Sequence, residues 1–217
     1  MTELVLTISR QDLFKQAVTA NGGVDGIYSA DLELLDQFSH KFLDRAILDN
    51  KSPAAILLGD IQPQLIGYFQ IKDTSGRILT YRRKGKEGGL LGKYSIGVGG
   101  HIDQADAETV VAKNNSIYAD LVSIYRESCV REIKEEVGLS VAHKTFKTRT
   151  NLLATNVDPT STVHVGLVQD IVVTDINALN YCENEFQDVR WHTPAELKAL
   201  STELEFETWT KILIENM

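Results

Sequence analysis

The chain has 217 residues, 43% hydrophobic and 24% charged, a globular composition large enough for one domain or for a core domain with an N-terminal extension. A net charge of −8, from 22 basic and 30 acidic residues, disfavours non-specific binding to nucleic acid or to an anionic membrane surface. Two cysteines, Cys129 and Cys182, make no disulfide framework, and no apolar run approaches the roughly 20 residues of a bilayer span, so a reducing, cytoplasmic location is expected.

In chain order, Glu3 to Ile8 alternates as a short strand, so the N-terminus MTELVLTISR is not expected to be a signal peptide. Ser9 with Asp12 resembles a capping box opening a helix to about Ala20, closed by Gly22 and Gly23. A second helical region is expected after Ser29, from Leu32, Leu35, Phe38, Phe42 and Ile47 at near-helical spacing. Apolar, β-prone runs follow at Ala54 to Leu58, Leu65 to Ile71 and Arg77 to Tyr81, punctuated by glycine and an Asp-Thr-Ser-Gly turn. After Gly99-Gly100 comes a polar stretch, then a helix over about Tyr118 to Val137, with Gly138 suited to the left-handed position past its end. Strands are expected at Val163 to Val168, Ile171 to Val173 and Asp188 to His192, then helices at Pro194 to Leu200 and Glu203 to Glu215. Strands interrupted by one central helix and followed by more strands predict a mixed sheet covered by helices.

The segment Arg131 to Leu139, REIKEEVGL, breaks a local rule. Glu132, Glu135 and Glu136 fall at i, i+3 and i+4, where like charges repel. They also occupy a last helical turn, where the macrodipole favours cations. A bound divalent cation is the simplest compensation, and such local conflicts cluster at functional sites.

REIKEEVGL matches the core of the Nudix hydrolase signature, and the chain resembles that superfamily from about Gln62 to its end. GKYSIGVGGHID (Gly92 to Asp103) is similar to the strand and Gly-Gly loop before the Nudix helix, RILTYRRK (Arg77 to Lys84) to the preceding strand, and FQDVRWHTPAEL (Phe186 to Leu197) to the closing strand and helix start. Gly92 to His101 and the first 60 residues also resemble a branch of Nudix-type phosphoesterases with a long N-terminal extension and an insert inside the Nudix box. The resemblance implies an α/β fold, a Nudix-type α/β/α sandwich with a mixed β-sheet and an N-terminal α/β extension. Residues 1–60 would be the extension and 61–217 the Nudix hydrolase domain.

It also implies metal-dependent cleavage of a diphosphate in a nucleoside diphosphate linked to another moiety, with Mg²⁺ or Mn²⁺ as cofactor. By the family pattern Glu132, Glu135 and Glu136 hold the metal with the Gly99 carbonyl nearby. Glu135, Glu132 or a loop glutamate orients or deprotonates water, and Arg131 holds carboxylates by bidentate hydrogen bonds. Candidates for substrate contact are Gly100, His101, Arg82, Arg83, Glu183 and Glu185. A small-molecule partner is expected, with no membrane and no nucleic acid. The insert, Gln104 to Ala119, and the first 60 residues would shape the pocket or a homodimer interface.

The chain departs from the pattern in its spacing. Counted from Gly100, Asp106 fills the slot of the family's upstream glutamate and Asn114 that of the arginine, yet the arginine comes seventeen residues later, at Arg131. Counted back from Arg131, the glutamate slot holds Ser123, so the usual brace of the arginine is absent, shortened or displaced. Glu127, four residues before Arg131, could substitute. Val98 replaces a common proline.

Bland readings stand beside these. Asp103 could support the phosphate loop or simply make a turn, and Glu183 and Glu185 could be ordinary loop charges. His101 could touch phosphate or metal, or pack a turn; His164 reads as sheet structure, and Arg82, Arg83 and Lys84 as a phosphate grip or a solvated strand end. Cys129 reads as a buried thiol and Trp191 as packing. The alternative function is a nucleotide-binding or regulatory module with weak or no catalysis, motivated by the missing glutamate and the insert. A prenyl diphosphate isomerase would need a catalytic cysteine context that neither cysteine offers.

Overall fold

The strand Gln64–Asp73 is buried at nine of its ten positions, and the candidate site is built against it. A run buried on both faces suits the middle of a sheet. The computed structural model describes residues 3–9, 12, 26–37, 39–49, 62–84, 89–146 and 149–217. In order these form β1 (Leu4–Ile8), β2 (Gly26–Asp31), a 3-10 turn (Leu32–Gln37), β3 (His40–Asp44), α1 (Arg45–Asp49), β4 (Gln64–Asp73), β5 (Ile78–Arg83), β6 (Tyr94–Ser95), α2 (Gln104–Asn114) and α3 (Leu121–Val137). After a 3-10 turn at His143–Thr145 come β7 (Arg149–Ala154), α4 (Pro159–Thr162), β8 (His164–Val173), a third 3-10 turn (Ile176–Ala178), β9 (Phe186–His192), α5 (Pro194–Leu200) and α6 (Thr208–Glu215).

Among the described residues nine strands form one mixed sheet, ordered β2-β7-β8-β4-β1-β3, with β5 joined to β4 and carrying β6 and β9. One flank of β4 runs parallel to β8 along its whole length, from Gln64 opposite His164 to Asp73 opposite Val173. Its other flank is shared. Thr7 of β1 faces Gln64, the glycine-rich segment follows through the bridges Ile66–His101 and Phe69–Val98, and β5 joins at Lys72–Ile78. Gly99 and Gly100 are therefore held like a piece of strand at the centre of the sheet.

Alternation along β4 and β8 divides the apolar side chains between two layers. Leu65, Phe69, Val165 and Leu167 belong to a core shared with Leu121, Tyr125, Cys129, Ile133 and Val137 of α3. Tyr68 and Val168 belong to a second core with Leu197 of α5 and Leu213 and Ile214 of α6. The result is the expected α/β/α sandwich. Helix α3 starts where the Asp120 carboxylate accepts the Ser123 N–H at 2.8 Å and stops at Gly138, whose φ of 68° is left-handed.

Several local expectations are corrected by pairing that the sequence pattern does not carry. The helical region expected after Ser29 is instead strand, 3-10 turn, strand and one short helix. Phe42 lies in β3 opposite Leu6 of β1, so sheet pairing outweighs helical spacing. The polar stretch after Gly100 is the helix α2, which buries only Asp106 and Val110 and so shows no apolar periodicity. The next helix begins at Leu121, and the last at Thr208, because Tyr94 bonds the backbone at Glu205 and Glu207 first. The two strands expected between Val163 and Val173 are one, β8. No expectation covered β7. The helix expected up to Ala20 and the run Ala54 to Leu58 lie outside the described residues, except that the Asp12 N–H does donate to Ser9 Oγ at 3.3 Å.

Candidate active site

The last two turns of α3 carry Glu132, buried, Glu136, half-buried, and Glu135, whose side chain is 60% exposed. They lie over the Gly99-Gly100 segment, and the two glycines make that approach possible. Gly99 has φ 151°, and a Cβ there would stand 1.8 Å from the Gly67 carbonyl oxygen of β4. A Cβ on Gly100 would stand 2.5 Å from Glu132 Oε1. Only a residue without a side chain fits at Gly99, whereas a Cβ at Gly100 would have to displace the Glu132 carboxylate. The Gly100 carbonyl accepts the Gly67 N–H at 3.0 Å, and the Gly99 backbone hydrogen-bonds the Glu136 carboxylate.

Arg131 is braced by the inserted helix. Its Nε donates to Asp106 Oδ1 and its Nη2 to Asp106 Oδ2, both at 2.9 Å, a bidentate pair with a carboxylate that is 2% exposed. Nη2 also donates to the His101 carbonyl at 2.9 Å, while Nη1 donates to Glu132 Oε1 at 2.7 Å and to Glu135 Oε2 at 3.2 Å. Asp106 is itself placed by the Asp103 N–H at 2.8 Å. The brace is thus shortened and delivered from another helix. Ser123 plays no part in these bonds, and Glu127 is engaged elsewhere, bonding Lys113 at 2.6 and 2.8 Å and His143 at 3.0 Å.

Burial pushes the Glu132 carboxyl up to about 7, against the pull of the Arg131 charge, with Glu135 and Asp103 adding to the rise. Burial pushes Glu136 up to about 8, and the charges of Glu132 and Glu185 raise it further, opposed by Arg83 and the Gly99 backbone. Asp103 is raised to about 6, again chiefly by burial. Carboxyls that burial and neighbouring acids raise in this way favour either a proton or a bound cation. Hard oxygen donors of this kind suit Mg²⁺ or Mn²⁺. Among the described residues, however, no three His, Cys, Asp or Glu groups converge as a ligand set, and Glu135 turns to Arg131 instead. The donor chemistry of Glu132 and Glu136 suits a divalent cation, while Glu135 is engaged by Arg131.

The other sequence candidates divide. Arg83 and Glu185 act on Glu136, so they belong to this neighbourhood. Arg82 points off it, its Nε donating to the Gly92 carbonyl at 2.8 Å, because neighbours along a strand face opposite ways. Glu183 meets Lys84 Nζ through its backbone carbonyl at 3.1 Å. His101 packs edge-on against His164, ring centroids 5.5 Å apart, and burial holds its imidazole well below the usual histidine range. Cys129 lies in the core, and Trp191 packs against it.

Sequence reasoning missed a cleft on the other side of the glycine segment. It encloses about 610 Å³, part of it open to solvent, and is lined by Gly99, Gly100, His101, Tyr68, Glu207 and Trp209. Arg83 lines it as well and approaches Glu207 Oε2 at 3.9 Å, linking cleft and glutamates. Glu207 and Trp209 open a helix whose apolar periodicity hides them as packing residues.

Comparison with known proteins places this geometry. Residues 121–213 match the family model described as NUDIX domain. Tm1382, a candidate Nudix hydrolase of known crystal structure, superposes with a TM-score of 0.68 at 21% identity, covering 99% of this chain and 97% of its own. A NUDIX hydrolase from Alicyclobacillus acidocaldarius superposes with a TM-score of 0.50 at 16% identity, covering 70% of this chain and 90% of its own. At these identities the likeness is one of fold. No curated protein sequence matches the chain.

Proposed function

We propose that this Nudix-domain protein is a metal-dependent pyrophosphohydrolase, cleaving a phosphoanhydride bond in a nucleoside diphosphate linked to another moiety. The observation that carries the reading is the pair Glu132 and Glu136, carboxyls that burial raises to about 7 and about 8, laid against the close-packed Gly99-Gly100 segment. A bound Mg²⁺ or Mn²⁺ would neutralise diphosphate oxygens and lower the pKa of a water.

The chain's own residues supply the rest. Glu132 and Glu136, with the Gly99 carbonyl, are the candidate ligands. Asp106 and Arg131 hold Glu132 in place, and the Gly99 backbone holds Glu136. Glu135, the most open of the three acids, is suited to orient water and take its proton. Arg83 offers a phosphate the positive charge that reaches both Glu136 and the cleft.

The same reading takes residues 1–60 as an extension packed on a core of 61–217, a cytoplasmic location, a small-molecule partner and room for a homodimer contact on the extension. No helix of the described residues is long and apolar enough to cross a membrane.

The test is a screen of the purified protein with Mg²⁺ against nucleotide sugars, dinucleotides, dinucleoside polyphosphates, ADP-ribose and nucleoside triphosphates, with products identified by mass. Hydrolysis of at least one, reduced roughly 100-fold or more in Glu136→Gln, is expected. Absence of turnover, or turnover unchanged in Glu135→Gln and Glu136→Gln, sinks the proposal. Tight nucleotide binding without products would favour a regulatory module, a reading that the turn of Glu135 toward Arg131 keeps specific.

A further inference from the structure

We propose that the cleft beside the glutamates holds a nucleobase, with Glu207 accepting an N–H from the base edge and Trp209 packing against its ring. The proposal rests on the phosphoanhydride reading and names the part of the substrate that reading leaves open.

Glu207 is a carboxylate only 4% exposed that still lines the cleft. Its Oε1 is saturated, accepting from Ser95 Oγ at 2.6 Å, Tyr68 Oη at 2.7 Å and Thr210 Oγ1 at 3.2 Å. Among the described residues its Oε2 meets the Arg83 charge, Nη1 at 3.9 Å, beyond hydrogen-bond length. A carboxylate oxygen that lines the cleft and accepts no hydrogen bond among the described residues is open to a donor on a ligand. At the same wall the Trp209 Nε1–H is buried with no hydrogen-bond partner among the described residues, so an acceptor is missing there. A donor beside an acceptor is what a base edge presents.

The walls favour a flat ring over a sugar. Tyr68 and Trp209 meet edge to face, centroids 5.3 Å apart at 76°, and form an aromatic corner. Each ring is seated over a glycine. A Cβ on Gly97 would stand 1.7 Å from Tyr68, and one on Gly166 would stand 2.9 Å from Trp209. Gly99, Gly100 and Arg83 line the same cleft, and Gly99 and Arg83 also act on Glu136, so a base in the corner has its phosphates within reach of the glutamates.

The chain has two tryptophans, so Trp191→Phe leaves Trp209 as the sole indole, read by excitation that spares tyrosine. In that background, with Mg²⁺ present, Trp209 emission is followed during titration with ADP, GDP, purine riboside 5′-diphosphate (whose base edge has no N–H), ribose 5-phosphate and pyrophosphate. ADP or GDP should shift the emission saturably, with purine riboside diphosphate roughly tenfold weaker. Glu207→Gln should weaken ADP or GDP roughly tenfold while leaving pyrophosphate affinity, read by calorimetry, within about twofold. If Glu207→Gln does not fold, the ligand series in Trp191→Phe decides alone. Equal affinity for every diphosphate, a response to ribose 5-phosphate matching that to ADP, or nucleotide binding with no change in Trp209 emission overturns the proposal. Turnover that ignores the base removes this pocket and leaves the hydrolase standing. A base-dependent response without any turnover does the reverse.

Discussion

Arg131 and Asp106 form a two-pronged ion pair, both prongs at 2.9 Å, between the helix that carries the glutamates and a helix inserted ahead of it. The insert therefore does not interrupt the site but braces it. Asp106 occupies the slot reached by counting forward from Gly100, and the residues after it detour through α2 before Arg131 returns to meet it.

Asp106→Ala should lower the unfolding free energy by about 3 kcal/mol, the usual loss when one partner of a buried pair is left alone. It should also reduce turnover roughly 10- to 100-fold, as loss of a group orienting a metal ligand does. Asp106→Glu should recover part of both. Ser123→Glu should not rescue Asp106→Ala, because Ser123 lies about 12 Å along the helix from Arg131. Denaturant melts and initial rates of the three variants check this, and rescue by Ser123→Glu would refute the assignment.

Glu127 provides the matched control. Lys113 is 56% exposed on the other side of that pair, so Glu127→Ala should lower stability by about 1–2 kcal/mol. Its kcat/KM should stay within about twofold of the parent. A large fall in rate without loss of stability would mean that Glu127, not Asp106, supports the chemistry.

Gly99→Ala and Gly100→Ala should separate folding from function. At Gly99 the added methyl meets backbone, the Gly67 carbonyl, and the expected loss is about 2–4 kcal/mol. At Gly100 it meets the end of the Glu132 side chain, which can move aside. Gly100→Ala should thus melt near the parent temperature while losing most Mg²⁺-dependent stabilisation, a difference that calorimetry reads directly.

Glu132 and Glu136 make metal-free stability fall as pH rises. Their folded values, about 7 and about 8, lie above the ordinary 4.5, so the folded state holds protons that the unfolded chain has released. Their contribution is fully present below about 4.5 and is lost as pH climbs through 7 to 8. Divalent binding needs the ionised forms, so the rise in Tm on adding Mg²⁺ should be larger at pH 8 than at pH 6. Scanning calorimetry at both pH values checks it. An Mg²⁺ shift independent of pH, or unchanged in Glu132→Gln with Glu136→Gln, would contradict the reading.

Much of this was legible locally. The acids of REIKEEVGL share a face because a helix repeats every 3.6 residues, and the glycine after them ends the helix with φ 68°. The apolar stretch Leu65 to Phe69 marks β4 as buried, although Gln64, Gln70 and Asp73 are buried with it only because of what packs against them. The helix α2 was not legible, since a helix that buries little beyond Asp106 and Val110 shows no apolar period. The pairing of β3 with β1 was hidden for the opposite reason, as its apolar spacing fitted a helix equally well.

The sequence by itself determined which residues could hold a cation and where the chain would let another segment approach closely, since both follow from residue type and short-range spacing. Only the tertiary structure decided which acids are dry, which carboxylate braces Arg131 and what lies across the glycines from the glutamates. Desolvation and hydrogen bonding are set by neighbours in space. The neighbours that matter here, Asp106 for Arg131 and Glu207 for Tyr68, stand 25 and 139 residues away along the chain.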